Sequence, residues 1–386
     1  YTALNAVDPT LPKVCSWPDN FLNLQSTAQP ARLRLDARLQ SPEIIAWCEH
    51  LRQTGLFNHL DALTLYKGIQ SDPLQINGWD SGWRSFREWM KLSYVNCTRM
   101  HTALATKNDE EFLRAFESNL AMARLFRQTP TTVNGLASLT ILSDTLALGV
   151  IAVRTRREKE WLDAIESIVQ LQSDPSPDSR ALDGQELIAL ENLAKFFASP
   201  DNLRLGRWSA AGKQILANPL AKNDLWLGSF ESVSAEIRDY CATLRDRLSK
   251  ESYARTLKPI SFSALARLFV PHLQEFGERL PIDERVLWQR ALATVIALER
   301  FWIARGAYPT DLAELIPEYL RELPRDPYSG SPLIYQRVDP EHPGGVQDFT
   351  LGSVGINPAH VNYNVKPIGL APWLPGKTLP PERLPP

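Results

Sequence analysis

Residues 131–153, TTVNGLASLTILSDTLALGVIAV, form the most apolar run in the chain and carry one charge, Asp144. A helix of that length is long enough for a bilayer, which asks for about 20 apolar residues. Polar side chains decide against that use. Asn134, Ser138, Thr140, Ser143, Asp144 and Thr145 punctuate the run, and a carboxylate at the bilayer centre costs about 3 kcal/mol or more unless it is paired. The run therefore reads as the buried central helix of a bundle. A helix that is apolar on all sides must be covered on all sides, so the rest of the chain has to supply a shell of helices around it. The basic residues that follow, Arg154, Arg156, Arg157 and Lys159, read as solvated charges that offset the negative end of the helix dipole, rather than as a contact for anionic lipid.

The shell is legible. Asn108 or Asp109 caps a helix over 109–127, with Glu110 and Glu111 at its positive end and Arg124 and Arg127 at its negative end. Phe112, Phe116, Leu120, Ala123 and Phe126 recur on it at three- and four-residue steps, which places them in one buried stripe. Upstream, Ser41 and Pro42 open a helix whose apolar face is Ile44, Ile45, Trp47, Cys48 and Leu51, ended by Gly55. Further helices are expected over 157–172, 182–198, 208–217, 229–255, 260–277 and 283–305. Breaks are expected over 173–183 and 199–202, and at Pro219 and Pro281. Amphipathic helices joined by short connections pack as neighbours. No convincing 34-residue repeat is present, which disfavours a regular tetratricopeptide array. The fold class is mainly α: a multi-helix bundle or helix-hairpin array.

Forty-two basic against 44 acidic residues leave a net charge of −2, so no strong electrostatic footprint for nucleic acid is expected. Prolines crowd both ends, from Pro9 to Pro30 and from Pro367 to Pro386, and should hold those segments extended. Cys15, Cys48, Cys97 and Cys241 contain no Cys-x-x-Cys pair; two disulfides and four buried thiols both remain open. The chain begins at Tyr1 without an initiator Met, and the expectation is that a segment was removed upstream, through which membrane attachment is possible.

Signatures of the common catalytic classes are missing. No Gly-x-Ser-x-Gly elbow, Walker loop, Gly-x-Gly-x-x-Gly or His-Glu-x-x-His occurs, and the six histidines are scattered. The strongest cluster for recognition is Trp79, Trp83 and Trp89 with Asp80 and Arg84. Aromatic faces beside acids and guanidinium groups suit sugar or peptide binding. Trp79, Trp83 and Phe86, however, share one helical face, and such a stripe is more often core. A glycan- or peptide-binding protein, or a hydrolase with a Trp-lined cleft between helices, is thus the alternative function.

The C-terminal stretch 308–357 follows a helix that Gly306 should terminate. It contains Tyr308-Pro309, then Leu323-Pro324-Arg325-Asp326-Pro327, then Tyr335, and finally Gly352-Ser353-Val354-Gly355-Ile356-Asn357. A short helix over 310–319 capped by Thr310, and strands over 332–338 and 347–353, complete a small α+β unit. These motifs resemble the C-terminal module of the major pseudopilins of type II secretion. The layout of helical body plus such a unit also resembles a type of envelope protein found in planctomycete-like bacteria. The resemblance implies a structural or scaffold protein of the periplasm or cell envelope, non-catalytic, docking with other envelope proteins in a secretion- or pilus-like assembly. Proline content, helical patterning and these motifs together divide the chain into an extended N-terminal segment (1–40), a helical domain (41–280), a pseudopilin-like helix and hairpin (281–363) and a Pro-rich tail (364–386). Pseudopilins often bind calcium after the strand end. Here Asn357 stands at the acidic position and 358–365 carry no Asp or Glu, so no cofactor, calcium included, is expected. Asp326 should instead close an Asx-type turn.

Overall fold

The computed structural model describes residues 42–68, 79–128, 131–173, 179–198, 229–251, 281–338, 347–354 and 367–368, with the single residues 254, 263, 266 and 269. The expected N-terminal extended segment, the helix over 208–217, most of that over 260–277, Gly355, Asn357 and the tail beyond 368 lie outside the described residues. In chain order come α1 (Pro42–Gln53), α2 (Leu56–Asp61) running into a 3-10 turn (Ala62–Leu65), α3 (Trp79–Ala105), α4 (Asp109–Gln128), α5 (Thr132–Thr155) and α6 (Lys159–Leu171). Then follow α7 (Arg180–Ala198), α8 (Phe230–Leu248), α9 (Pro281–Arg305), a second 3-10 turn (Leu312–Leu315), and strands β1 (Ile334–Val338), β2 (Asp348–Gly352) and β3 (Pro367–Ile368). The described residues are mainly helical with one small sheet.

Helix α5 is the axis of the fold. Thr131 caps it by accepting a hydrogen bond from the Asn134 amide at 3.3 Å. It is 24 residues long, and its most apolar 18-residue window has a mean hydropathy of 1.9 and is 78% buried by neighbouring elements. Three apolar cores meet on it. Ala137 and Ile141 face the core built from α1, α2, α3 and α4. Leu139 enters the core of α7 and α8. The stretch from Leu146 to Val153 packs with α3, α4, α6, α9 and the C-terminal unit. A residue pattern without an apolar face and a polar face is what this position demands, because every side has a neighbour.

Close approach at one point depends on the absence of a side chain. A Cβ at Gly149 would lie 3.0 and 3.1 Å from the Phe116 ring of α4 and 3.3 Å from Leu292 of α9. Where the three helices α3, α4 and α5 touch, polar groups fix their mutual register. Asn96 donates to the Ala115 carbonyl at 2.8 Å, and Asn119 donates to Thr145 Oγ1 at 3.1 Å. These groups are buried, and a buried donor without an acceptor costs about 1–3 kcal/mol, so sliding any of the three helices is penalised.

Local sequence explains most boundaries. The α4 stripe of Phe112, Phe116, Leu120, Ala123 and Phe126 is buried as expected, and Asn108 accepts from the Glu111 amide at 3.2 Å. Gly306 follows α9 with φ +72°, its amide bonded to the Trp302 carbonyl at 2.8 Å. Left-handed backbone of this kind strongly favours glycine. Several expectations need correction. α8 stops at Leu248 rather than continuing to 255. Pro281 opens α9 instead of preceding it, as its preset φ and missing N–H permit in a first turn. The short helix expected over 310–319 is a single 3-10 turn, Leu312–Leu315, capped by Asp311 rather than Thr310. Pro317 stops it by forcing Ile316 into an extended conformation, ψ 140°.

The C-terminal unit rests against the end of α9. β1 and β2 pair antiparallel from Ile334↔Gly352 to Val338↔Asp348, and β3 adds two pairs on the far side of β2, Leu351↔Ile368 and Gly352↔Pro367. Tyr308, Leu312, Leu315, Leu333, Phe349 and Leu351 of this unit belong to the same core as α4, α5 and α9. The unit and the helical body thus share one continuous apolar interior.

Candidate functional site

Two features of the C-terminal unit bring chemistry-bearing residues together: the turn built on Asp326, and a buried ion cluster at the junction with the helical body.

Asp326 is buried. One carboxylate oxygen accepts from the Tyr328 amide at 2.9 Å, which is the expected Asx turn. Its other oxygen accepts from Ser353 Oγ at 2.9 Å and from the Val354 amide at 2.8 Å. The Asp326 amide donates to the Ser331 carbonyl at 2.7 Å, and the Gly330 amide returns a bond to the Asp326 carbonyl at 2.8 Å. One side chain therefore ties the Leu-Pro-Arg-Asp-Pro turn to the end of β2. Leu323 packs against the main core and Pro327 is buried beside Asp326; Pro324 is half-buried. The Tyr335 hydroxyl donates to the Pro309 carbonyl at 2.7 Å, which joins β1 to the Tyr308-Pro309 step. Tyr308, Pro309, Leu323, Pro324, Asp326, Pro327, Tyr335 and Ser353 all fall in this one unit, while Gly355 and Asn357 lie outside the described residues.

The junction is centred on Arg154, at the last turn of α5. Its guanidinium donates to Glu299 Oε1 of α9 at 2.7 Å and to the Tyr308 hydroxyl at 2.9 Å, and forms an ion pair with Asp348 of β2. The Tyr308 hydroxyl donates to Glu299 Oε1 at 2.8 Å. Arg157 Nε stands 3.1 Å from the other Glu299 oxygen. Both guanidinium groups lie over aromatic rings, Arg154 at 4.3 Å from the centre of Phe349 and Arg157 at 4.5 Å from that of Trp302. Burial pushes the Glu299 carboxyl above the usual glutamate range, against the pull of Arg154 and Arg157. Burial and the neighbouring Glu299 likewise push the Tyr308 phenol up.

An acid with a raised pKa beside a tyrosine and two arginines has the composition of a catalytic centre. Its placement denies that use: the Glu299 side chain is 0% exposed, so no substrate atom reaches it in this conformation. The cluster acts as a staple between α5, α9 and β2. It also absorbs the basic run. Arg154 and Arg157 serve the staple, and Arg156 pairs with Asp109 at the start of α4. The reading of this run as solvated charge is corrected for these three residues, whose partners are carboxylates of other elements.

A second ion cluster secures the N-terminal helices. Arg99 of α3 bonds Glu111 at 2.8 Å and Asp61 at 2.6 Å, Arg52 of α1 bonds the same Glu111 at 2.6 Å, and Ser118 donates to Asp61 at 2.7 Å. Burial alone would raise the Glu111 carboxyl, yet the hydrogen bonds from Arg99 and Arg52 hold it below the usual range. This too is a fastening of α1 and α2 onto α3 and α4.

Of the tryptophan cluster, Trp79, Asp80, Trp83 and Arg84 lie in the first turns of α3, and their side chains fall outside the described ones. Trp89 is half-buried and packs edge-on against Phe126, ring centres 5.1 Å apart. A cleft at the meeting of α4, α5, α6 and α9 holds about 50 Å³ and is lined by Leu120, Arg124, Leu146, Val169 and Gln172 among others. That volume takes a water or two and is far below the roughly 300 Å³ at which ligand pockets begin. Asp348 and Asp326, the carboxylates nearest the strand end expected to hold calcium in pseudopilins, are committed to Arg154 and to Ser353 with Val354. Cys48 and Cys241 are free thiols, Cys97 Sγ accepts from Asn119 Nδ2 at 3.4 Å, and burial pushes the Cys241 thiol up to about 12.

Sequence reasoning missed both ion clusters. Arg154 meets partners 145 and 194 positions away, and no local pattern announces such pairs. No family model, curated protein or solved structure matches this chain.

Proposed function

We propose that the protein is a non-catalytic scaffold of the cell envelope or periplasm that works by docking to other envelope proteins in a secretion- or pilus-like assembly, with its C-terminal unit as the contact element. The observation that carries this reading is the Asp326 turn. It ties the residues that resemble the pseudopilin module, from Leu323 to Pro327 and from Gly352 to Val354, into one preorganised, largely buried knot that holds the unit rigid on a stapled base. Preorganised elements lose little conformational entropy on association, which is what a docking element needs. Among the described residues, Ile303 at 42%, Ile316 at 38% and Ile334 at 46% are exposed on or beside the unit. The burial of Glu299 and the small volume of the α4–α5–α6–α9 cleft favour a structural role over catalysis at those places.

The test is affinity capture of the tagged protein from native envelopes, followed by cross-linking mass spectrometry. The expected result is cross-links from 308–354 to one stoichiometric envelope complex, lost in a variant with Ile316 and Ile334 changed to Lys but unchanged thermal stability. Recovery of the protein alone, or cross-links confined to the helical body, overturns the reading.

A further inference from the structure

We draw no further inference here: the strongest candidate, the outer edge of β1, where Ile334 stands half-exposed and no strand pairs among the described residues, has nothing in the structure to show what covers it.

Discussion

Replacing Arg154 with methionine tests the staple most directly. The guanidinium is 12% exposed and holds a carboxylate that is 0% exposed on one side and one that is 12% exposed on the other. Methionine keeps much of the side-chain volume over Phe349 but leaves Glu299 with Arg157 and Tyr308 alone, and Asp348 with the Phe349 amide at 2.8 Å. Breaking a buried ion pair from one side costs about 3–5 kcal/mol. The loss should be local, because the removed bonds join β2 and Tyr308 to the ends of α5 and α9. Amide hydrogen exchange resolves it by segment. Protection of 347–354 should fall by about two to three and a half powers of ten, at roughly 1.4 kcal/mol per tenfold. The 112–126 segment of α4 should exchange nearly as before. Arg154→Lys should recover only part of the loss, since one ammonium cannot serve Glu299 and Asp348 with the two-pronged geometry of arginine. The reasoning fails if Arg154→Met changes protection of 347–354 by less than tenfold, or if α4 loosens as much as β2.

Gly149→Ala should lower stability by up to about 2 kcal/mol. The new methyl meets a Phe116 ring that is fully buried and stacked on Phe112, so overpacking of about 1–3 kcal/mol exceeds the roughly 1 kcal/mol gained in helix propensity; a higher urea midpoint would refute this. Asp326→Ala should cost about 2–4 kcal/mol, because it strands buried or half-buried donors of Tyr328, Ser353 and Val354, and Ser353→Ala should cost less than half of that in the same urea titration. Equal losses in the two variants would show that Ser353, not the amides, carries the turn. The Glu111 pair makes stability acid-sensitive. A carboxyl held below its ordinary pKa contributes fully above the unfolded value and loses that contribution as pH falls through the folded value. The melting temperature should therefore drop below about pH 4.3, and the deficit of Glu111→Gln against wild type, large at pH 7, should shrink in acid; a deficit that is constant from pH 7 to pH 3 contradicts the assignment.

Whatever depends on neighbours in sequence was readable from the residues. The charges at the two ends of α4, its phenylalanine stripe, Gly306 after α9 and the Asx turn at Asp326 are local devices, and each stands where the sequence places it. The buried axis could be recognised because an all-round apolar helix has few other uses. Short elements escaped, since α2 and its 3-10 turn together are too brief to show a period. Helix ends drifted where tertiary contacts or a proline decided them, as at Leu248 and Pro281. The least legible part was the staple. Arginine after an apolar helix satisfies the dipole rule whether it faces water or a buried glutamate, and only the fold brings Glu299 and Asp348 to it.

The order in which α5 and its partners are made has a consequence for synthesis. Arg154 precedes Glu299 by 145 positions and Asp348 by 194. At about 5–20 residues per second, a ribosome needs roughly 10–40 s to deliver the last of these. During that interval a 24-residue helix with an 18-residue window of mean hydropathy 1.9 has left the exit tunnel while α9, one of the elements that cover it, is still unmade. An exposed apolar helix of that kind is prone to misassociate, and the polar residues Ser138, Ser143, Asp144 and Thr145 make its insertion into a bilayer less favourable before the bundle closes.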